Sequence, residues 1–279
     1  MELITILLSG LLAFVSPAGL VIDSVAEGAI RSRFDKVEQL QVRVDNAPSY
    51  QVAQGKVDRV RLAGRGLWLT PEVRIDQLEV ETDPVALDLK RLRQSGEKQP
   101  KGKKRSLTDT IAGISKDPVQ GAVHLVITEK DINQALKSPK VAQRLQERLA
   151  SSLGSAAAFL PENYQILNPR VDFLADNRLR FQVDLQGQEN TDKLAVNIES
   201  GLGVVSGRQL QLIAPVVTVN GNPVPPQFVS ALTSGASSRL DLRNLEDTGI
   251  IARLLQFKID SDRLEVAAFV RLQPPNTSK

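Results

Sequence analysis

Three pairs of apolar segments in the second half of this 279-residue chain constrain its fold more than any other feature. Each pair consists of two apolar runs joined by a short polar turn and an Arg; the pairs are Val171–Leu185, Leu202–Val216 and Phe257–Leu272. The turns contain Asp-Asn, Ser-Gly or Asp-Ser-Asp, residues that tolerate positive φ or hydrogen-bond their own backbone. The pattern therefore predicts three β-hairpins in an antiparallel meander.

The first half also alternates apolar and polar residues with the period of strands. Single strands are predicted for Val37–Val44, Val85–Leu89 and Gly121–Ile127. The segment Gln51–Leu69 predicts two strands that are separated at Gly64–Gly66, as a looser version of the hairpins. In Val73–Val80 the apolar positions shift by one residue, which predicts a β-bulge near residues 76–77.

Helical spacing and capping residues predict several amphipathic helices. The helices are predicted over residues 20–34, 128–136, 140–158 and 225–232. Thr128 and Asp131 have the spacing of a capping box, and Ser138 before Pro139 is the usual opening of a helix. The segment Leu245–Leu255 fits either a helix or a strand.

The N-terminal stretch from Leu3 to Ile22 carries no charged side chain. Pro17 interrupts it, and the part before the interruption has the length of a signal-peptide core and is too short to span a bilayer. No Lys or Arg precedes this run, although a secretory signal normally has one. The stretch is therefore a cleaved signal, a retained anchor or part of one long buried helix.

These elements predict an α+β fold in which one long curved antiparallel sheet wraps around amphipathic helices. Residues 1–22 form the apolar signal or anchor segment, and residues 23–272 form a single domain. Residues 90–116 form a basic loop within that domain, and residues 273–279 form a disordered tail.

The basic loop carries eight Lys or Arg residues against Glu97 between Lys90 and Arg105, although the whole chain has a net charge of only +3. A solvated loop without a role and a contact to anionic lipid headgroups both fit this segment. Nucleic-acid binding fits less well, since aromatic residues make up only 4% of the chain. The residues assigned to headgroup contact are Lys98, Lys101, Lys103, Lys104 and Arg105.

Residues that could carry catalysis are scarce. The chain has no Cys, and its one histidine, His124, lies inside a predicted strand, where a structural role is the ordinary one. No G-x-S-x-G turn or P-loop is present, and the glycines of Gly201–Gly207 have the wrong spacing and context for a dinucleotide loop. We therefore expect no enzymatic activity, no metal and no cofactor.

Several stretches resemble the LmeA-like phospholipid-binding family of bacterial envelope proteins. They are IDSVAEGAIRSRF followed by VEQLQVRVDN, QGKVDRVRLAGRGLWL, VRIDQLEVETDPVALDL, VHLVITEKDINQAL and LQFKIDSDRLEVAAFV, and together they cover most of residues 22–272. The resemblance implies a fold like that of tubular lipid-binding proteins, with an apolar groove for acyl chains. It also implies a non-enzymatic role in binding or moving phospholipid in the cell envelope, at the membrane or in the periplasm.

Aliphatic faces of the predicted strands and of one helix supply the candidate groove. The residues are Leu62, Leu67, Leu69, Val73, Ile75, Val141, Leu145, Leu149, Leu153, Val171, Phe173 and Phe181. The same residues fit an ordinary packed core, which would make the protein a membrane-associated scaffold without a ligand. The expected partners are phospholipid and an anionic membrane surface, without nucleic acid, and the sequence leaves the oligomeric state open.

Overall fold

The computed structural model describes residues 27, 30–31, 34–46, 51, 54–86, 115, 117–152, 164–187 and 193–273, with backbone alone for 148–152. The strands are β1 (Lys36–Asp45), β2 (Lys56–Val57), β3 (Arg59–Thr70), β4 (Val73–Thr82), β5 (Val85–Ala86), β6 (Val119–Thr128), β7 (Tyr164–Leu174), β8 (Arg178–Gly187), β9 (Lys193–Val205), β10 (Gln209–Val219), β11 (Asn222–Pro223), β12 (Ile250–Ile259) and β13 (Arg263–Leu272).

The helices lie between strands of the second half. They are α1 (Glu129–Leu136), α2 (Pro139–Ser152), α3 (Pro226–Arg239) and a 3₁₀ helix over Leu242–Thr248. Of the described residues in the first predicted helix, Glu27, Ile30 and Arg31 are helical, whereas Phe34 is in a bend. Helices and antiparallel strands in this arrangement make an α+β fold.

The strands form two main sheets instead of the one long sheet that the sequence predicts. A six-stranded sheet has the order β1-β3-β4-β6-β13-β12, and a five-stranded sheet has the order β11-β10-β9-β8-β7. The neighbouring strands of both sheets pair antiparallel, and the two sheets share no strand in the described part of the chain. The prediction of one sheet is wrong because turns of the second sheet, and not a strand, lie against β12.

The three hairpins predicted in the second half are confirmed as β7–β8, β9–β10 and β12–β13. Asp176 and Asn177 have φ of 60° and 55° in the first turn, and Ser206 and Gly207 have φ of 53° and 63° in the second. Asx residues and glycine occupy this left-handed region at the lowest cost. The turn residues therefore locate both reversals of the chain.

The predicted break at Gly64–Gly66 is wrong, because β3 runs without interruption through both glycines. Gly64 leaves room for Leu67, whose Cδ1 would lie 2.8 Å from a Cβ at that position. Gly66 has φ of 56°, and a Cβ there would clash with Oε2 of Glu38 on β1. The glycines thus allow close approach within the strand and do not end it.

The phase shift seen in the β4 sequence is real, but it is not a bulge at residues 76–77. The pairing of β4 with β3 keeps one register from Arg61↔Glu81 to Trp68↔Arg74, and the register shift falls between Trp68 and Thr70. On β3 the buried positions also change phase, from Leu62 to Leu67. On both paired strands, the positions that face the core therefore shift by one residue near Gly66, which has a positive φ.

The main hydrophobic core lies on one face of the six-stranded sheet. Its most buried members come from the strands and from the described part of the first helix: Ile30, Leu62, Leu67, Ile75, Leu78 and Leu272. The 3₁₀ helix adds Leu245 to the same cluster, so the ambiguous segment Leu245–Leu255 begins helical and continues as β12.

Two smaller clusters cover part of one face of the five-stranded sheet. Leu145 of α2 packs with Ile166, Val183 and Leu185, and Phe228 of α3 packs on Val217. The helices thus lie against the sheet face that carries the apolar side chains. Helix α3 is longer than the predicted 225–232, because it continues to Arg239.

Several sequence predictions lie outside the described residues. These are the N-terminal segment 1–22, all five headgroup residues, most of the basic loop and the tail beyond residue 273. Ser115, within the predicted loop, is described. Ser115 is buried, and its hydroxyl oxygen lies 3.1 Å from the carbonyl oxygen of Ala86 and 2.6 Å from that of Asp117, so this residue belongs to the folded body.

Candidate functional site

Helix α1 is attached to the six-stranded sheet through its first turn. The Thr128 hydroxyl accepts a hydrogen bond from the Asp131 N–H (3.1 Å) and donates one to the Asp131 carboxylate (2.7 Å), which confirms the predicted cap. Arg74 on β4 donates to that carboxylate at 2.8 Å and to Asp76 at 3.0 Å. Burial disfavours the Arg74 charge, but these carboxylates outweigh it and raise the pKa of Arg74.

Side chains of the same helix also attach it to the five-stranded sheet. They bond to backbone groups of the edge strand, where a neighbouring strand would otherwise pair. Asn133 donates to the Val171 carbonyl (2.7 Å) and accepts from the Val171 N–H (2.9 Å). The Glu129 carboxylate accepts from the Phe173 N–H at 2.7 Å. Because β7 is an edge strand, these bonds satisfy backbone groups that would otherwise lack a strand partner. Helix α1 therefore joins the two sheets.

A second set of contacts joins the turns of the five-stranded sheet to β12. The Gly207 carbonyl accepts from the Leu254 N–H at 2.7 Å, and the Asn177 side chain accepts from the Ile259 N–H at 2.7 Å. Asn177 also accepts from the Leu202 N–H through its carbonyl at 2.8 Å. These bonds hold the ends of β8 and β9 beside the edge of the six-stranded sheet.

Half-buried apolar side chains lie on both sides of this contact. We call the following set the junction surface: Leu179, Leu202, Val204, Leu210, Leu212, Leu254, Phe257, Leu264 and Val266. None of them belongs to the three packed clusters of the described residues. The registers place Leu202 opposite Leu212, Val204 opposite Leu210, and Phe257 opposite Val266. The junction residues of each sheet, which form one half of the surface, therefore lie on one face of that sheet. The junction surface is thus apolar and incompletely covered.

The opposite face of the five-stranded sheet is charged near the junction. Glu199 on β9 receives hydrogen bonds from Arg180 at 2.9 Å and from Arg178 at 3.0 Å. These two bonds lower the pKa of Glu199 and outweigh the effect of burial, which acts in the other direction. The sheet therefore has one polar and one apolar side at this point.

A family model described as LmeA-like phospholipid-binding matches residues 14–269. The chain belongs to this family. The matched span runs through both sheets and every described helix, so it covers the junction surface and α1. No curated protein and no solved structure matches the chain. The resemblance proposed from the sequence is therefore confirmed at the level of the family.

The structure separates the sequence-predicted lipid residues into different environments. Leu62, Leu67 and Ile75 are fully buried in the main hydrophobic core. The half-buried ones are Leu69, Val73, Val141, Leu145, Val171 and Phe181, and Phe173 is buried. The side chain of Leu149 and all of Leu153 lie outside the described residues. The register brings Val171 beside Phe181 and Phe173 beside Leu179, which places these phenylalanines next to the junction surface.

Sequence reasoning missed the part of the site that depends on contacts between sheets. Asn133 has no motif of its own, and its role follows from the position of β7. Leu202 and Leu212 could have been found from the alternation within their hairpin. That alternation identifies one apolar face, but it cannot show which parts of the face a helix covers.

The candidate catalytic residue His124 lies on the polar face of the six-stranded sheet, with Nδ1 3.6 Å from Oε2 of Glu79. Both line an open cavity of about 430 Å³ together with Arg43 and Arg61. Within the described residues, no group of three His, Cys, Asp or Glu side chains could hold a metal ion. None of the described helices is long and apolar enough to cross a bilayer.

Proposed function

We propose that this protein binds phospholipid without catalysis, with the acyl chains on the junction surface, and carries or presents lipid in the bacterial cell envelope. The observation that carries the proposal is membership of the LmeA-like phospholipid-binding family over residues 14–269. The proposed compartment is the cell envelope, at the membrane or in the periplasm. It rests on the resemblance of the sequence to a family of bacterial envelope proteins. Residues 23–272 act as one unit in this proposal, with helices covering the apolar faces of the two sheets.

The chemistry of the junction surface supports acyl chains as the ligand. Its nine side chains are aliphatic or aromatic, and each is partly accessible. Covering apolar area is favourable by about 25 cal/mol per Å², which lets a long hydrocarbon chain bind without specific polar contacts. A surface of this kind selects the class of ligand and not one acyl chain.

The two attachments between the sheets support a surface of defined shape. Helix α1 bonds to β4 through Asp131 and to β7 through Asn133, while Gly207 bonds to β12. These contacts position the two halves of the junction surface relative to each other. A ligand that lies across both halves would therefore meet an already formed site and would lose less affinity to ordering of the protein.

Native mass spectrometry of the purified protein tests this function, after incubation with phosphatidylglycerol–phosphatidylcholine vesicles. We expect a population with phospholipid bound in the wild type and a large loss of it in Leu212→Gln. Ile213→Gln is the matched control, because Ile213 is the next residue on β10 but lies on the opposite face and is 53% exposed. Thermal unfolding of both variants checks that each remains folded.

A lipid-free wild type that takes up no phospholipid from the vesicles would reject the proposal. In that case the alternative is a membrane-associated scaffold with an ordinary packed core. Equal loss of lipid in Leu212→Gln and Ile213→Gln would reject the junction surface as the site. His124→Ala should leave lipid uptake unchanged, since His124 lies on the polar face beside Glu79.

A further inference from the structure

Three arginines surround a cavity of about 350 Å³ beside the contact between the two sheets, on the face opposite the junction surface. The cavity lies where the β9–β10 turn, the 3₁₀ helix and β12 meet. Its lining residues are Val205, Ser206, Arg208, Gln209, Arg243 and Arg253. Each of these three segments supplies one arginine.

The backbone fixes the three segments against one another. The Arg208 carbonyl accepts from the Leu242 N–H at 2.8 Å, which ties the turn to the start of the 3₁₀ helix. The neighbouring Gly207 carbonyl accepts from the Leu254 N–H at 2.7 Å, which ties the turn to β12. Arg208 and Arg253 are thus each adjacent in the sequence to a residue that hydrogen-bonds to another of these segments. The arrangement of the three arginines is built into the fold.

Acidic groups balance only part of this positive charge. Asp241 is buried, and its carboxylate accepts from the backbone N–H of Arg243 at 2.9 Å and from the Arg243 Nε at 2.9 Å. Glu246 also acts on Arg243 through space. Among the described residues, no carboxylate accepts a hydrogen bond from the guanidinium of Arg208 or Arg253. Asp241 therefore orients Arg243 and also attracts Arg208 through space, but it accepts no hydrogen bond from Arg208 or Arg253 among the described residues, so the donors of these two guanidinium groups can serve a ligand.

We infer that this three-arginine cavity binds a phosphate group, carried either by a lipid headgroup or by a soluble phosphate ester. Guanidinium groups offer paired donors that match the oxygens of phosphate, and charged hydrogen bonds of this type are the strong ones. The Ser206 hydroxyl lines the same cavity and is a further donor. The inference does not depend on acyl chains, because the cavity and the junction surface lie on opposite faces.

Exposed apolar side chains beside the cavity indicate how a lipid phosphate could reach it. Val205 is 43% exposed and Leu255 is 68% exposed, and they flank the arginines Arg208 and Arg253 along the chain. Exposed apolar residues next to cations are the composition of surfaces that lie in the headgroup region of a membrane. A soluble phosphate ester would need only the arginines.

Calorimetric titration of the full chain with glycerol 3-phosphate tests the phosphate site. Arg208→Gln/Arg253→Gln should weaken binding at least about tenfold, since two charged donors are lost. Arg243 is kept, because its removal would leave the buried Asp241 without its partner. Arg170→Gln is the control: it removes one exposed arginine from β7, where Arg170 pairs with Asp172. Thermal unfolding confirms that each variant is folded.

Sedimentation with vesicles, with and without phosphatidylglycerol in phosphatidylcholine, distinguishes the two sources of phosphate. Binding of the vesicles but not of glycerol 3-phosphate, lost in the double variant, assigns a lipid headgroup. Binding of glycerol 3-phosphate, with equal vesicle binding by wild type and double variant, assigns a soluble ester. Equal affinity of wild type and double variant for both probes would overturn the inference, as would no binding of either probe by the wild type. Acyl-chain binding in native mass spectrometry is measured separately and decides neither outcome.

Discussion

Asp131 Oδ2 lies 2.8 Å from Arg74 Nη1, and this contact attaches the first turn of α1 to β4 of the six-stranded sheet. The Asp131 side chain is only 9% exposed, whereas Arg74 is 23% exposed. A carboxylate in this position is stable because the guanidinium and the Thr128 hydroxyl both donate to it. The pair also sets the position of the helix that bonds to β7.

Replacement of Arg74 by Ala should destabilise the protein by about 2–3 kcal/mol, somewhat less than the loss of one partner of a fully buried pair. The cause is the Asp131 carboxylate, which remains buried without its main cationic partner. Chemical denaturation measures the change in the free energy of unfolding. Glu38→Ala is the control, since Glu38 is 48% exposed and 3.4 Å from Arg74, and it should change stability by less than about 0.5 kcal/mol. Similar effects of both variants would contradict this account of the pair.

Replacement of Asn133 by Ala should cost about 1–3 kcal/mol, because the Val171 N–H and carbonyl would lose their partners at the edge of β7. Hydrogen exchange of the Val171 amide should become faster, while exchange on β9 in the middle of the sheet changes less. Gln134→Ala is the matched control on α1, since Gln134 is exposed. Unchanged protection of Val171 would show that Asn133 does not hold the edge strand.

The bonds from Arg180 and Arg178 should make part of the stability depend on acid pH. They lower the pKa of Glu199 below its usual 4.5, so the folded state binds this proton less readily than the unfolded state. The contribution is therefore complete above pH 4.5 and is lost as the pH falls through the lowered pKa. Glu199→Gln should cost about 1 kcal/mol at pH 7 and progressively less in acid. Urea denaturation at a series of pH values measures the difference.

The control for this pH dependence is Glu147→Gln, since Glu147 is exposed on α2 and hydrogen-bonds to Gln143. Its stability relative to the wild type should not change with pH in the same way. A constant difference between Glu199→Gln and the wild type across the acid range would show that the two arginine bonds do not stabilise the carboxylate form.

Removal of residues 1–19 should leave binding to anionic vesicles that is weak and decreases as salt is raised. The basic loop then supplies the attraction, at roughly 1 kcal/mol for each cation held near the surface, and salt screens it over about 8 Å. Replacement of the loop cations by Gln should remove most of that binding; they are Lys98, Lys101, Lys103, Lys104 and Arg105. Vesicle sedimentation at low and high salt measures both effects. A truncated protein that ignores anionic vesicles at low salt would make the loop a solvated linker.

The hairpins and helix starts could be predicted because their signals are local. Asp176-Asn177 and Ser206-Gly207 adopt positive φ in short turns, and Thr128 caps α1 through an atom three residues away. Gly66 shows the limit of such signals. Its left-handed conformation is the one expected of a chain break, yet the opposing Glu38 on β1 requires a residue without Cβ inside a continuous strand.

The division into two sheets could not be predicted, since it depends on which group reaches the edge of β12. The hydrophobic pattern of β12 is equally consistent with another strand beside it, and only the folded chain places Gly207 and Asn177 there. The candidate groove has the same limit. Leu67 and Leu212 are both aliphatic residues on apolar strand faces, but Leu67 is covered by the core, whereas Leu212 belongs to no packed cluster.

The hydrogen bonds at the meeting of the sheets also bear on aggregation. β12 and β7 are edge strands, and an exposed edge is a template for pairing with a strand of another molecule. Asn177 and Gly207 accept hydrogen bonds from two backbone N–H groups of β12, while Asn133 and Glu129 bond to backbone groups of β7. Each main sheet thus has one edge on which backbone groups are already engaged, which disfavours strand addition and polymerisation along these two edges.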